Sequence, residues 1–125
     1  MPKGYPVITG DQQAAAIYSD ETTSPTTTVT RKSVPGGASF IELGLFQSGP
    51  SAPTAKFIYV AVNALSNSEE DYMLSNPTTR IAIPVGEFQR IMFPDSDPCL
   101  RYAFATDAAT ETNGSKCIQR IGSLL

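Results

Sequence analysis

The chain has 125 residues, 41% of them hydrophobic and only 17% charged, with a formal charge of −3 and no histidine. That length makes one domain able to bury roughly two thirds of its unfolded surface, so no metal, cofactor or disulfide is needed for it to fold. The nine basic residues are scattered, Arg31-Lys32 being the only adjacent pair. They leave no footprint for a nucleic-acid backbone or an anionic membrane, and the missing histidine removes the commonest general base and a common zinc ligand.

The first segment, Met1 to Pro6, has no apolar stretch of the kind a secretory signal carries, and no run reaches the roughly 20 apolar residues of a membrane span. Synthesis in a cytoplasm is expected, and two cysteines fit a reducing origin. Residues 1–37 are expected to form an extended N-terminal arm. Gly4 to Gly10 reads as an extended lead-in, and Asp11 to Tyr18 as two helical turns with Asp11 as N-cap. Ser19 to Thr28 is Thr-rich with almost nothing to bury, hence either a solvated edge strand or a flexible arm. Pro35-Gly36-Gly37 marks a turn or hinge.

The body is expected over residues 38–125. Phe40 to Phe46 places Ile41, Leu43 and Leu45 on one face at period two. Lys56 to Val62 is apolar on both faces and predicts a central strand covered on each side. Asn63 to Pro77 is a polar connection long enough to cross between sheets or to hold a helical turn. Four β-favouring runs follow: Thr79 to Val85, Phe88 to Phe93, Leu100 to Ala105 and Lys116 to Ile121. They are separated by Gly86-Glu87, the Pro94 to Pro98 segment and Asn113-Gly114-Ser115. Counting Val29 to Val34, about seven strands result, and the predicted class is all-β, an antiparallel β-sandwich or jelly-roll-like body.

Chemistry has little to stand on. Asp95 and Asp97, or Glu69, Glu70 and Asp71, are the candidate carboxylate groupings, and both sit in turn-forming sequence without apolar neighbours to raise a carboxyl pKa. They read as solvated loop charges. Asp95-Ser96-Asp97 lacks the remaining ligands of a calcium loop, so no catalytic residue, metal site or cofactor is expected. A Cys99–Cys117 bridge would centre its connection on Ala108, whereas the turn residues Asn113-Gly114 lie past that point; both thiols read as reduced. Tyr59 and Tyr102 fall inside strand patterns, whereas Tyr18 and Tyr72 lie in polar surroundings that suit contact with another chain.

The C-terminal third, from Arg80 to Phe88, Ile91 to Pro94, Leu100 to Phe104 and Arg120 to Leu125, resembles the minor structural proteins of tailed bacteriophages. The closest likeness is to the decoration or cement proteins of the capsid exterior. The resemblance covers style and no motif, so it carries over no functional residue. It implies a sandwich or jelly-roll body, a symmetric oligomer such as a trimer, and a non-enzymatic role clamping neighbouring subunits of the major capsid protein or another virion protein. The location implied is the virion, after synthesis in the host cytoplasm. Independently, a polar arm can order along a partner's surface or add a strand to its sheet. Ile8, Ile17 and Tyr18 are the expected arm anchors, with Tyr72 as a further contact. The alternative is a receptor- or glycan-binding sandwich, as at a phage tail, which calls for a pocket or aromatic ledge at one loop end.

Overall fold

The computed structural model describes residues 14–93, 100–108 and 114–124, with side chains from Tyr18 to Ser123 within those spans. Among them are eight strands and one helix. The strands are β1 (Ala14–Thr23), β2 (Thr30–Ser33), β3 (Phe40–Gln47), β4 (Phe57–Val62), β5 (Ile81–Pro84), β6 (Gln89–Met92), β7 (Arg101–Thr106) and β8 (Ser115–Leu124); helix α1 (Asn67–Ser75) falls between β4 and β5. One sheet has the order β1-β8-β3-β6 and the other β2-β7-β4-β5, every pairing antiparallel. The all-β sandwich read from the sequence is the fold, with eight strands where about seven were expected.

The strands wind rather than meander. β1 pairs with β8, β2 with β7, β3 with β6 and β4 with β5, so the chain behaves as one long hairpin rolled over on itself. Of the consecutive strands, only β4 and β5 share a sheet. The loops gather at the two ends of the sandwich. At one end Val34 N donates to Leu100 O (2.9 Å) and Ser39 N to Gly122 O (2.7 Å); at the other Ser24 N donates to Ser115 O (2.8 Å) and Thr106 N to Thr26 O (3.0 Å).

Period-two alternation builds the core. Ile41, Leu43 and Leu45 of β3 and Cys117 and Ile121 of β8 face Ile58 and Val60 of β4, Ile83 of β5, and Tyr102 and Phe104 of β7, all fully buried. Burying a side chain of this size contributes about 1.5–3 kcal/mol before chain entropy is counted. β4 is covered on both faces, as expected: its other side carries Ala61, which with Ala103 of β7 receives Leu74 and Met73 of α1. The helix starts where Ser66 caps it, its hydroxyl accepting from Glu69 N at 3.2 Å, with Glu69 and Glu70 in the first turn where the helix dipole favours negative charge.

Two expectations are corrected. Residues 14–33 are no arm: β1 pairs with β8 from Ala14↔Leu124 to Thr23↔Lys116, and β2 pairs with β7. Ala14 to Tyr18 is extended, not helical, because main-chain hydrogen bonds to β8 outweigh the weak helix preference of an Ala-rich stretch. The Thr-rich stretch Ser19 to Thr23 takes the edge-strand alternative. Secondly, Glu70 is not a solvated loop charge but fully buried. Residues 1–13, including Ile8, and the Asp95, Asp97 and Cys99 region lie outside the described residues.

At Gly44 the strand needs glycine. A Cβ there would clash with the Glu87 carbonyl and the Phe46 ring, because the turn that carries the chain from β5 to β6 crosses over this position, held by Gly86 N donating to Leu45 O at 2.8 Å. Gly44→Ala is expected to lower stability by about 1–3 kcal/mol in urea unfolding, while Gly36→Ala, which meets nothing, stays within about 0.5 kcal/mol. Deleting residues 2–34 removes β1 and β2, so the remainder is expected to lose cooperative unfolding by circular dichroism rather than persist as a stable body.

Candidate partner interface

The sequence-predicted contact residues fall on separate elements. Ile17 lies in β1 at the register shift between Ala16 and Tyr18. Tyr18 is on the same edge strand, 39% exposed, its hydroxyl donating to Asp20 Oδ2 at 3.1 Å. Tyr72 is on α1, 62% exposed, its hydroxyl accepting from Asn76 Nδ2 at 3.1 Å. Both tyrosines are exposed, but the fold brings them into no common site.

What it does create is an asymmetry between the two outer faces. α1 roofs the outer face of the β2-β7-β4-β5 sheet, docked by Glu70. Arg101 clamps that carboxylate with two parallel bonds, Nε to Oε2 at 2.9 Å and Nη2 to Oε1 at 2.7 Å. Arg31 Nε sits 3.0 Å from Oε1, close enough for an ion pair though poorly aligned for a hydrogen bond, and its Nη2 reaches Asp71. A lone buried carboxylate would cost several kcal/mol, and two guanidiniums offset that cost.

No such layer covers the outer face of the β1-β8-β3-β6 sheet among the described residues. Because Ile41, Leu43 and Leu45 point inward, Phe40, Glu42, Gly44 and Phe46 fall on the other side, Phe40 and Gly44 buried there and Glu42 and Phe46 half-buried, and by the same alternation Lys116, Ile118 and Arg120 lie there from β8. Register places Glu42 between Arg90 and Arg120. Arg90 gives it bonds of 3.0 and 2.9 Å from Nε and Nη2, and Arg120 Nη1 lies 3.8 Å away. The Arg90 guanidinium also covers the Phe40 ring at 4.2 Å. Around this charged row stand Met92, 49% exposed, and Phe88, which meets Phe46 at 6.0 Å. A shallow cleft of about 420 Å³ opens at its β1 side against Ser19, Glu21, Ile118 and Arg120. None of these residues stood out in the sequence; the signal available was the alternation of Phe40 to Phe46, which leaves Glu42 and Phe46 on the outward side.

Among the buried polar side chains of the interior, Tyr102 and Gln119 form a connected network. Tyr102 donates to Gln119 Oε1 at 2.8 Å across the two sheets, and Gln119 Nε2 donates to Thr22 Oγ1 at 3.1 Å and Cys117 O at 3.0 Å. Outside it, Lys32 Nζ bridges from the edge of one sheet to Asp20 Oδ2 of the other at 2.8 Å. The Lys32 hydrogen bond is the main cause holding the Asp20 carboxyl below its usual pKa. No group of three or more Cys, Asp or Glu among the described residues is placed to hold a metal ion. No described helix is long and apolar enough to cross a membrane. No family model matches the chain, and no curated protein sequence is significantly similar to it.

Cys117 is a free, buried thiol whose pKa burial pushes up to about 12. Native protein is therefore expected to leave Cys117 unlabelled by iodoacetamide at pH 8 while denatured protein labels it, read by peptide mass. Between the ordinary thiol value of 9.0 and about 12 the unfolded chain loses this proton and the folded chain keeps it, so stability falls as pH rises through that window. At the other end Asp20, held low, contributes stability above the ordinary carboxylate range and loses it as pH falls through its folded pKa. A pH series of thermal melts checks both directions.

Proposed function

We propose that this chain is a non-enzymatic structural protein of a virion, a capsid decoration or cement protein that binds and stabilises neighbouring capsid subunits. The observation that carries the reading is the outer face of the β1-β8-β3-β6 sheet, where no described helix lies and Met92 and Phe88 stay exposed, next to a second sheet roofed by its own helix. A surface that sets Met92, Phe88, Phe46 and Ile118 around an Arg90–Glu42–Arg120 row has the mixture of apolar anchors and arginine found at protein contacts. The winding supports it too. Pairing first strand with last, second with seventh and so on inward is the order of a jelly roll, eight strands in two Greek keys, an architecture that capsid and lectin domains use. Fold alone assigns no function, so the surface carries the argument.

On this reading the role of contact passes from an N-terminal arm to a sheet face. The partner is the major capsid protein or another virion protein, met by a symmetric oligomer such as a trimer. Purified chain is expected to co-sediment with undecorated capsid shells at a fixed saturating stoichiometry. Met92→Glu with Phe88→Glu should weaken that binding at least tenfold, about 1.4 kcal/mol, without lowering the melting temperature by more than a few degrees. Co-sedimentation that is absent, or unchanged by both substitutions, would remove the reading.

A further inference from the structure

Four strands lie at the edges of the two sheets, and all but one of them are short. β2, β5 and β6 have four residues each; β5 closes on Pro84, which has no N–H to offer, and β2 carries Arg31 and Lys32 side by side. β1 is different. It runs for ten residues, Ala14–Thr23, pairs with β8 along one side, and has no strand on the other among the described residues. A long open edge is a template for a further strand, because its outward N–H and C=O groups are already laid out at strand spacing.

Hydrogen bonding shows which residues face that opening. Ser24 N donates to Ser115 O at 2.8 Å, so by the alternation of an antiparallel ladder Thr22, Asp20 and Tyr18 turn their main chain to β8, and Thr23, Glu21 and Ser19 turn theirs outward. Glu21 agrees, its N–H donating to Asp20 Oδ1 at 2.8 Å.

The side chains above the edge are unbalanced in one direction. On the outer face the sheet runs Arg90, Glu42, Arg120 and Ser19 from β6 across to β1, charges alternating until they reach the serine. Arg120 is half exposed, its ion pair is Glu42 at 3.8 Å, and among the described residues no hydrogen bond reaches its guanidinium. The shallow cleft of about 420 Å³ over Ser19 leaves Arg120 an open path to the edge. The next strand should therefore place an acid opposite Ser19. β1 owns one on the same outer face, Glu21, which is exposed and has Lys116 at 3.5 Å.

We propose that β1 pairs antiparallel with β1 of a second copy about a twofold axis, Glu21 of each copy opposite Ser19 of the other. In that register Ser19 and Glu21 exchange main-chain hydrogen bonds, Asp20 lies on the axis, and each Glu21 carboxylate meets the other copy's Arg120 across Ser19. Strands stand about 4.8 Å apart, so Arg120 and Glu21 start about two spacings from one another, within the combined reach of their side chains. Neighbouring registers are worse. A slide one way sets Glu21 against Glu21, and the other way sets Glu21 against Ile17, at the register shift of β1. The like charges on the axis are already neutralised, each Asp20 holding a Lys32 ammonium at 2.8 Å. Joined this way, the two β1-β8-β3-β6 sheets form one, and the symmetric oligomer is a twofold dimer rather than a trimer. The pairing follows from the edge alone and does not depend on the virion reading.

The test is the oligomeric state of the purified full chain, with no capsid present, so its failure and that of the virion reading are separable. Analytical ultracentrifugation is expected to show a reversible monomer–dimer equilibrium in the micromolar range that weakens at high salt. Glu21→Arg or Arg120→Glu alone should weaken it roughly tenfold, since each sets like charges together on both sides of the axis, and the two substitutions in one chain should restore it to within about threefold. Ser19→Pro removes an edge N–H while leaving the bonds to β8, and should abolish the dimer in protein that still melts cooperatively. If Ser19→Pro proves unfolded, the charge exchange decides alone. Leu65→Ser, on the exposed connection ahead of α1, should leave the equilibrium unchanged. A chain that stays monomeric to millimolar concentration overturns the proposal, as does a trimer, or a dimer that neither the charge exchange nor Ser19→Pro alters.

Discussion

Everything in this fold hangs on closing two sheet faces over one dry interior. Strands that alternate inward and outward supply the apolar faces, but a strand that rolls from one sheet to the other must also seal the seam between them. At the seam by β1 and β2 the solution is polar. Tyr102 and Gln119 join the sheets from inside, Thr22 completes the amide, and Lys32–Asp20 bridges the two edges. Each such bond nets only about 1 kcal/mol, yet losing a partner exposes a cost of about 1–3 kcal/mol, so the network specifies one alignment of the sheets more than it adds stability.

The same economy explains why the two outer faces differ. A nine-residue helix can lie on the second sheet because Ala61 and Ala103 leave room for Leu74, and because Glu70 reaches two arginines that project from β2 and β7. The first sheet offers no such seat. Its outward row is already satisfied laterally, Glu42 by Arg90 and Arg120, and the β5–β6 turn lies across Gly44. A face whose charges are paired in its own plane can bury apolar side chains without leaving ions unpaired.

Much of the body was legible because burial on a strand leaves a direct mark. Ile41, Leu43 and Leu45 alternate in sequence and all reach zero exposure. Lys56 to Val62, apolar on both faces, is roofed by α1 on one side and the other sheet on the other. The four C-terminal runs became β5 to β8. β1 was legible only as the edge-strand alternative for its Ser19 to Thr23 half, because an edge strand is held mainly by main-chain bonds to one neighbour, which Ala, Ser and Thr provide as well as Val or Ile would. Glu70 looked solvated because the Arg101 that clamps it lies 31 residues away.

By itself, then, the order of apolar and turn residues determined the all-β class, the position of most strands and the inward face of β3, since each follows from local periodicity. Which strands pair was left open. Runs separated by turn signals look like a meander, and only the need to bury two faces at once sends consecutive strands into opposite sheets. The candidate interface depends on that same step: Glu42 meets Arg90 and Arg120 only through strand register. Those contacts join residues distant in sequence, and no local pattern encodes them.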